Sequence, residues 1–202
     1  MNSRVSTIVQ IVLLLAVIFL AYSLYEIIQE PIRFEKIKNK RYDKIKERLE
    51  EIRDVQKAYR AEYNEFAGDF NTLIAFVDTG KQTIIERKDS TFTYYDKVYL
   101  KEREKDTIIT RVLGYRNIKE TLFDKNFDPE VLRYIPLTER KEFSMQADKL
   151  TVNDVIVPVF EARAENKDIF ADIWKKYEDF IEKDYALKVG SLTEPTLSGN
   201  WK

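Results

Sequence analysis

A long uninterrupted apolar run near the amino terminus is the feature that most constrains this chain. Residues 8–25 read IVQIVLLLAVIFLAYSLY, without charge, proline or glycine, and their most polar side chains are Gln10 and Ser23. As a helix these residues cover about 27 Å, close to the hydrocarbon thickness of a bilayer. Because the run has no polar face, it does not suit a core helix of a soluble protein. It predicts a transmembrane helix.

We place this helix at residues 8–28, after a short N-terminal tail of residues 1–7. Tyrosines near its far end lie where an interfacial aromatic belt is expected. The anchor residues expected to contact lipid are Ile8, Ile11, Leu14, Ile18, Tyr22 and Tyr25.

A cleaved signal peptide is the alternative interpretation of the run. Ala21 and Ser23 would be the small residues before a cut after Ser23. The run is long for a signal peptide, and Leu24–Ile28 continue it past that point. These two observations favour an uncleaved anchor.

The flanking charges do not decide which side of the membrane the large domain occupies. Arg4 precedes the run, and the basic residues that follow it would place the domain in the cytoplasm. Acidic residues are interleaved with those basic residues, however, and long domains cross membranes largely regardless of flanking charge. Composition therefore leaves the orientation open.

An amphipathic stalk helix is predicted over residues 32–64. Pro31 precedes it and is expected to break or kink the chain just beyond the membrane. Apolar and aromatic residues then recur at alternating steps of three and four, the period of a helix that packs along a neighbour. We call these positions the seam: Tyr42, Ile45, Leu49, Ile52, Gln56, Tyr59 and Tyr63.

The seam has two interpretations. The helix packs on its own domain's sheet, or it shares the seam with a partner subunit, with Gln56 as a polar residue that fixes the register. A seam of this length that ends in tyrosines favours packing within the chain. The pattern does not exclude a partner.

Residues 65–202 are expected to fold as a soluble α+β domain. Asp69 is a suitable N-cap for a second helix over Phe70–Thr79, and Gly80 suits its end. The pattern then changes to a period of two, and β-branched and aromatic residues become frequent. The strands predicted from this pattern are Gln82–Lys88, Thr91–Leu100, Thr107–Leu113, Lys141–Leu150 and Val155–Ala164.

The remaining segments complete this interpretation. The mixed-sign run Lys101–Lys105 is interpreted as a solvated hairpin connection; the alternative is a docking patch, but a mixed-sign run carries little binding specificity. Pro158 places its strand at a sheet edge or a bulge. The tail after Ala186 is expected to dock as an ordered strand and loop. Helical spacing predicts a C-terminal helix that covers one face of the sheet, through Ile169, Ile173, Trp174, Tyr177, Phe180 and Ile181.

The fold class is therefore α+β. A transmembrane helix continues into a long amphipathic helix, and a small antiparallel sheet domain with a C-terminal helix follows.

The composition excludes several classes of chemistry. Cysteine and histidine are absent, so the chain has no disulfide, thiolate nucleophile, Cys/His zinc site or histidine base. A net charge of −1, from 34 basic and 35 acidic residues, provides no global field for nucleic acid. The sequence contains no P-loop, GxGxxG or GxSxG motif. We expect no enzymatic activity, no cofactor or metal, no nucleic-acid partner and no small-molecule substrate.

One acidic segment resembles half of a calcium loop. Asp124, Asn126 and Asp128 stand at alternate positions, but the EF-hand pattern then requires glycine at its sixth position and glutamate at its twelfth. Those positions hold Pro129 and Ile135. We favour a simpler interpretation, in which Asp128 caps a short helix that begins at Pro129.

The passage IRDVQKAYRAEYNEFAGDFNTLIAFV, which follows an apolar helix and a charged amphipathic helix, carries a family resemblance. Over residues 1–80 the chain resembles the type IV pilin and pseudopilin superfamily, in which a spanning helix continues as an amphipathic helix before a small sheet. The whole chain also resembles a group of single-pass bacterial envelope proteins that share the ending LKVGSL … SGNW. Two pilin features are missing: a glycine before the apolar run and a glutamate a few residues into it.

The resemblance implies a bacterial inner-membrane protein with its domain in the periplasm. It implies a scaffold subunit of a secretion or pilus-type assembly, with the bilayer, other envelope subunits and further copies of itself as partners. The alternative is a membrane-tethered periplasmic ligand- or peptide-binding module, which needs a concave apolar pocket with convergent polar groups. An enzyme would need a carboxylate or lysine with a strongly perturbed pKa in a cleft.

Overall fold

The structure, a computed structural model, describes residues 3–96, 98–124 and 126–201. Met1 and Asn2 of the expected tail, Lys97 of a predicted strand and Lys125 of the calcium-like segment lie outside these residues, as does Lys202.

The helices and strands alternate in an α+β order after one very long helix. In chain order they are α1 (Ser3–Tyr63), α2 (Phe70–Thr79), β1 (Lys81–Asp96), β2 (Lys101–Asn117), α3 (Ile118–Leu122), a 3-10 turn (Pro129–Leu132), β3 (Ser144–Val152), β4 (Val155–Glu165), α4 (Asn166–Ile169), α5 (Trp174–Tyr177), a second 3-10 turn (Glu178–Phe180) and β5 (Ala186–Gly190).

Helix α1 is continuous over 61 residues, which corresponds to about 92 Å. It begins at Ser3, so it also includes most of the expected tail. It passes through Pro31, so of the break or kink expected at this residue the break is wrong. A proline inside a helix costs about 3 kcal/mol. Phe34, in the next turn, is buried in the domain, so packing holds the helical backbone in place just beyond the proline.

The ends of the first two helices follow ordinary capping chemistry. Helix α1 stops before Asn64, which has a φ of 58° and whose N–H donates to the carbonyl oxygen of Arg60 at 2.8 Å. The Asp69 carboxylate accepts the Thr72 N–H at 2.9 Å, which confirms it as the N-cap of α2. The predicted bounds of α2 are also confirmed, and the Gly80 N–H donates to Phe76 at its end.

Strands β3, β4 and β5 form an antiparallel sheet with β4 in the centre. Asn153 and Asp154, both with positive φ, make the two-residue turn between β3 and β4. Pro158 pairs with β3 only, because β5 covers just Glu161–Glu165 of β4. The expectation that Pro158 places its strand at a sheet edge or a bulge is therefore wrong, because β4 is the central strand and tolerates the proline in the part that β5 does not cover.

Strands β1 and β2 form a separate two-stranded antiparallel hairpin. The turn lies at Val98–Leu100, and the charged run Lys101–Lys105 belongs to β2. Our interpretation of that run as the connection is wrong. The run pairs residue by residue with the end of β1. Its charged side chains are solvated equally well in a strand or in a loop, so the backbone pairing decides that the run is a strand.

The prediction of a single C-terminal helix is also wrong. The segment instead forms α4, α5 and a 3-10 turn. The Arg41 side chain of α1 donates to the carbonyl oxygen of Ile169, and the Ile173 N–H bonds to Phe170 instead. A continuous α-helix would join Ile169 and Ile173, so this contact with α1 replaces the bond that would extend α4.

The tail after Ala186 is ordered as expected. Strand β5 pairs with β4, and Val189 bridges to Gly199. The Asn200 side chain donates to the carbonyl oxygen of Ala186 at 2.8 Å and accepts the N–H of Lys188 at 3.0 Å. These bonds fasten the last residues beside β5.

The core lies between α1 and the rest of the domain. The middle of the seam is fully buried there, at Ile45, Leu49, Ile52 and Gln56, and so is Val55. The four apolar side chains belong to one cluster with α2, β4, β5 and the C-terminal segment. The structure therefore shows that the seam packs within its own chain.

Replacing Ile45, Leu49 or Ile52 by alanine should destabilise the domain by about 2–5 kcal/mol each, because each change removes buried methyl groups and leaves a cavity. Thermal unfolding of the full chain in detergent, followed by fluorescence of Trp174 and Trp201, measures this loss. Both tryptophans pack against the core.

Ile32→Ala is the matched control, since Ile32 is an exposed isoleucine on the same helix. Its effect should stay within about 0.5 kcal/mol. An internal seam would be contradicted if the three seam variants unfolded at the same temperature as the Ile32 variant.

Candidate functional site

The side chains of the apolar run are exposed in the folded chain. The most hydrophobic window of α1 has a mean hydropathy of 2.5 and no buried residue. The six anchor residues named from the sequence are all exposed: Ile8, Ile11, Leu14, Ile18, Tyr22 and Tyr25. Contact of these side chains with water is unfavourable by about 25 cal/mol for each Å². Helix α1 is therefore long and apolar enough to span a membrane, consistent with a single transmembrane helix.

The domain begins very close to the end of this apolar stretch. Ile28 is exposed and Phe34 is buried, and six residues of helix separate them by only about 9 Å. The Phe34 ring contacts Phe170 and Tyr177 at centroid distances of 5.5 and 5.3 Å. Since no loop lies between the two regions, α1 fixes the position of the domain relative to the apolar stretch.

A largely buried arginine fastens the C-terminal segment to this part of α1. Arg41 donates to both oxygens of Asp172 at 2.7 and 2.6 Å, and its side chain is only 12% exposed. Its guanidinium also lies over the Phe170 ring at 5.7 Å. The hydrogen bonds from Arg41 hold the pKa of Asp172 below its usual range. This paired, two-bond geometry is the specific form of an Arg–carboxylate contact.

Tyr42, the first seam residue and the neighbour of Arg41 on α1, makes a second polar contact with the C-terminal segment. Its hydroxyl donates to the side-chain oxygen of the buried Asn166 at 2.7 Å. The Asn166 amide in turn donates to the carbonyl oxygen of Glu182 at 2.9 Å. Burial raises the pKa of Tyr42 to about 12, so the hydroxyl stays protonated at any physiological pH.

Gln56 fixes the turn that leaves the helix. Its amide donates to the carbonyl oxygen of Ala67 at 2.8 Å and accepts the Ala67 N–H at 2.9 Å. The glutamine therefore satisfies both backbone groups of a buried residue in its own chain. It sets the position of the α1–α2 connection, which is a register role within the domain.

The two tyrosines at the far end of the seam are less buried. Tyr59 and Tyr63 contact each other at 4.6 Å, and both contact the Phe76 ring of α2. Tyr63 is exposed. The seam thus ends in an aromatic cluster at the surface, beside the base of the hairpin, where Thr83 lies 3.4 Å from Glu62.

The β1–β2 hairpin exposes an unusual amount of apolar surface. Its turn is the most exposed part, with Val98 at 84% and Leu100 at 73%. The core cluster includes no described residue of either strand. The exposed large apolar and aromatic side chains of the hairpin are Ile85, Phe92, Tyr94, Tyr95, Val98, Tyr99, Leu100, Ile108, Ile109, Val112, Leu113 and Tyr115.

A shallow depression of about 350 Å³ lies between the 3-10 region and α4, and charged side chains line much of it. Lys141 and Asp168 in its wall form an ion pair at 3.3 Å, and Asp172 is held by Arg41. Lys141, Asp168 and Asp172 are thus each held in an ion pair within the chain.

The acidic groups of the described residues do not cluster as metal ligands. No group of three or more carboxylates close enough to hold a metal is found in residues 3–96, 98–124 and 126–201. Asp128 instead accepts the Glu130 N–H at 3.1 Å, with Pro129 at the first position of the short helix. This confirms its interpretation as a cap.

No family model, curated protein or solved structure matches this chain.

Sequence reasoning missed three of these features: the Phe34 contact, the Arg41–Asp172 pair and the length of the hairpin. Phe34 lies eleven residues before Ile45, about three helical turns, so its position continues the buried face of α1 towards the membrane. The strict alternation of charge in Lys101–Asp106 is a period of two, which is a strand signal. The Arg41–Asp172 contact joins residues far apart in the chain and has no local signal.

Gln56→Leu should destabilise the domain by about 1–3 kcal/mol, because it leaves the buried N–H and C=O of Ala67 without partners. Denaturant unfolding of the full chain in detergent measures the change. Lys57→Leu, at the neighbouring exposed position, is the control and should have little effect. A Gln56→Leu chain as stable as the parent would contradict this role.

The Arg41–Asp172 pair should make stability depend on pH in a defined direction. Because the folded pKa of Asp172 is lowered, the pair stabilises the fold above the unfolded pKa of about 3.9. This contribution is lost as the pH falls through the lowered folded pKa.

Asp172→Asn should therefore lower the unfolding temperature at pH 7, and the difference from the parent should disappear in acid. The Asp172 side chain is 45% exposed, so the difference should be modest. Asp179→Asn, in the same segment, is the control. A constant difference between pH 3 and pH 7 would show that the charge of Asp172 does not contribute.

Proposed function

We propose that this protein is a membrane-anchored structural subunit of a bacterial envelope assembly of the secretion or pilus type. In this proposal α1 crosses the inner membrane, the domain lies in the periplasm, and the protein acts as a scaffold through protein–protein contacts. One observation supports the proposal above all: the domain exposes a long apolar hairpin. A continuous helix joins that domain to an apolar anchor.

The continuous helix supports a scaffold role because it fixes distances. From Ile28 to Tyr63 the helix rises by about 53 Å, and the base of the hairpin lies beside its end. A partner bound at the hairpin would be held within a set distance of the bilayer. A flexible tether would allow the domain to reach many positions, but α1 enters the core directly.

The hairpin supports contacts with other proteins for two physical reasons. An isolated two-stranded hairpin is marginally stable in water, and each of its strands leaves one edge unpaired. Large exposed apolar patches on soluble domains usually mark interaction surfaces. A partner that covered the hairpin would bury its aromatic side chains and add further contacts to both strands.

The resemblance to the pilin and pseudopilin superfamily supports the type of assembly. The order of elements agrees with it, since an apolar helix continues into an amphipathic helix that packs on a small antiparallel sheet. The missing glycine and glutamate favour a scaffold over a polymerised filament subunit. A function assigned through such a resemblance is associational, so the partners themselves have to be identified.

Affinity capture of the tagged full chain from native membranes, followed by subunit identification, tests this function. We expect the chain to resist extraction by alkaline carbonate and to co-purify with a fixed set of envelope proteins. The comparison variant replaces residues 82–116 by a short Gly-Ser turn between Lys81 and Asn117, which are paired across the base of the hairpin.

This variant should remain in the membrane but lose partners, because the described residues of the hairpin contribute nothing to the core. Release of the full chain by carbonate would overturn the anchor. An identical set of captured proteins with and without the hairpin would show that the partners bind elsewhere, and absence of any co-purifying subunit would reject the scaffold function.

A further inference from the structure

The outer half of the hairpin, residues 88–95 and 101–109, separates its charges by sign. In β2 the run Lys101–Asp106 alternates basic and acidic residues without exception. Successive side chains of a strand point to opposite faces, so this alternation places one sign on each face. What reads in the sequence as a mixed-sign run becomes two stripes of single sign in the folded strand.

The contacts along the hairpin agree with this assignment of faces. Thr91 pairs with Asp106 across the strands, and its hydroxyl donates to that carboxylate at 3.0 Å. Phe92 and Tyr94, two residues apart, have ring centroids 6.2 Å apart on the other face. Phe92 pairs with Lys105. The acidic face therefore includes Asp106, and the basic face carries the Phe92 and Tyr94 rings.

Strand β1 adds one basic residue to the basic face and one acidic residue to the acidic face. Among the described side chains of the outer half, every basic group lies on one face and every acidic group on the other. The basic stripe consists of Lys88, Lys101, Arg103 and Lys105. The acidic stripe consists of Asp89, Glu102, Glu104 and Asp106. All eight residues are exposed.

We propose that the hairpin binds a second copy of this chain, with the basic stripe of one copy against the acidic stripe of the next. The inference rests on the proposed membrane anchor and names the partner of the proposed scaffold. Charge complementarity carries it, because the two stripes have the same spacing of about 6.7 Å between successive charges. A shift of one residue, about 3.3 Å, brings the basic stripe of one copy opposite the acidic stripe of its neighbour.

The anchor makes this match possible between copies. Each α1 enters its domain without a loop, so copies anchored in one membrane would hold their domains at the same height. Parallel hairpins can then stack face to face in register. The contact joins different surfaces of the two copies, so each end of a growing row presents one free face, and the association continues until it closes into a ring or extends as a row.

The contact is expected to be weak outside the membrane. One face of the outer half is about 25 Å long and about 10 Å wide, far below the roughly 800 Å² that each partner usually buries in a stable complex. Anchoring in one bilayer raises the effective concentration of the hairpins and compensates for the small area. We therefore expect association in membranes and mainly single copies in dilute detergent.

Energy transfer between labelled full chains in phosphatidylcholine vesicles tests the proposal. The chain has no cysteine, so Lys175→Cys provides a unique, exposed site for the dyes. One variant carries Glu102→Lys, Glu104→Lys and Asp106→Lys, which leaves Asp89 as the one acidic residue of its stripe and gives both stripes a net positive charge. The reciprocal variant carries Lys101→Glu, Arg103→Glu and Lys105→Glu, which leaves Lys88 as the one basic residue of its stripe and gives both stripes a net negative charge.

We expect transfer between parent chains, loss of transfer to the level of random proximity for each variant alone, and recovery when the two variants are mixed. Raising the salt from about 0.05 to about 0.5 M should lower the transfer between parent chains, because exposed charges are then screened. Parent-level transfer in either variant alone, no recovery in the mixture, or a salt-independent signal would each overturn the proposal. Binding of the basic stripe to added anionic vesicles, without transfer between copies, would also overturn it in favour of a lipid surface.

Flotation of the same labelled chains with the vesicles after a carbonate wash reports the anchor separately. Chains that float but show no transfer would reject self-association and leave the proposed function standing. Chains that fail to float would reject the proposed anchor itself.

Discussion

One helix supplies both the apolar stretch and a wall of the domain core, and the rest of the structure depends on this sharing. The Ile28 side chain of α1 is exposed, whereas the Phe34 side chain, six residues later, is buried in the domain core. The domain cannot rotate about the helix without exposing Ile45, Leu49 and Ile52, each of which is fully buried. Core packing therefore transmits the orientation of the helix to the domain, and α1 is continuous from Ser3 to Tyr63.

The polar contacts of α1 divide their roles along its length. Near the apolar stretch, Arg41 and Tyr42 bind the C-terminal segment, which holds together residues more than 120 positions apart in the chain. Farther along, Gln56 binds the backbone of Ala67 and fixes the direction in which the chain leaves the helix. Tyr42 and Gln56 are buried, so a misplaced partner of either would leave a buried polar group unpaired. These contacts give the packed helix one register.

Local signals in the sequence predicted the parts of the fold that local physics decides. The N-caps at Asp69 and Asp128, the seam from Tyr42 to Gln56 and the existence of the β3 and β4 strands follow from side-chain chemistry within a few residues. The C-terminal helix could not be judged in this way, because Arg41 takes the Ile169 carbonyl from outside the segment. Nor could the periodicity of the seam alone distinguish its own domain from a partner, since both offer an apolar surface.

The run Lys101–Asp106 shows why backbone conformation has to be known before a charge pattern is interpreted. In a helix, residues three apart are neighbours, so Lys101 would meet Glu104 and Glu102 would meet Lys105, and the run would be satisfied internally. In the observed strand the same residues gather like charges about 6.7 Å apart on each face. That arrangement is mildly unfavourable for a hairpin alone in solution, because neighbouring charges of one sign repel each other. It becomes favourable when a surface of opposite sign covers it, and each copy of this chain carries such a surface on the reverse side of the same hairpin.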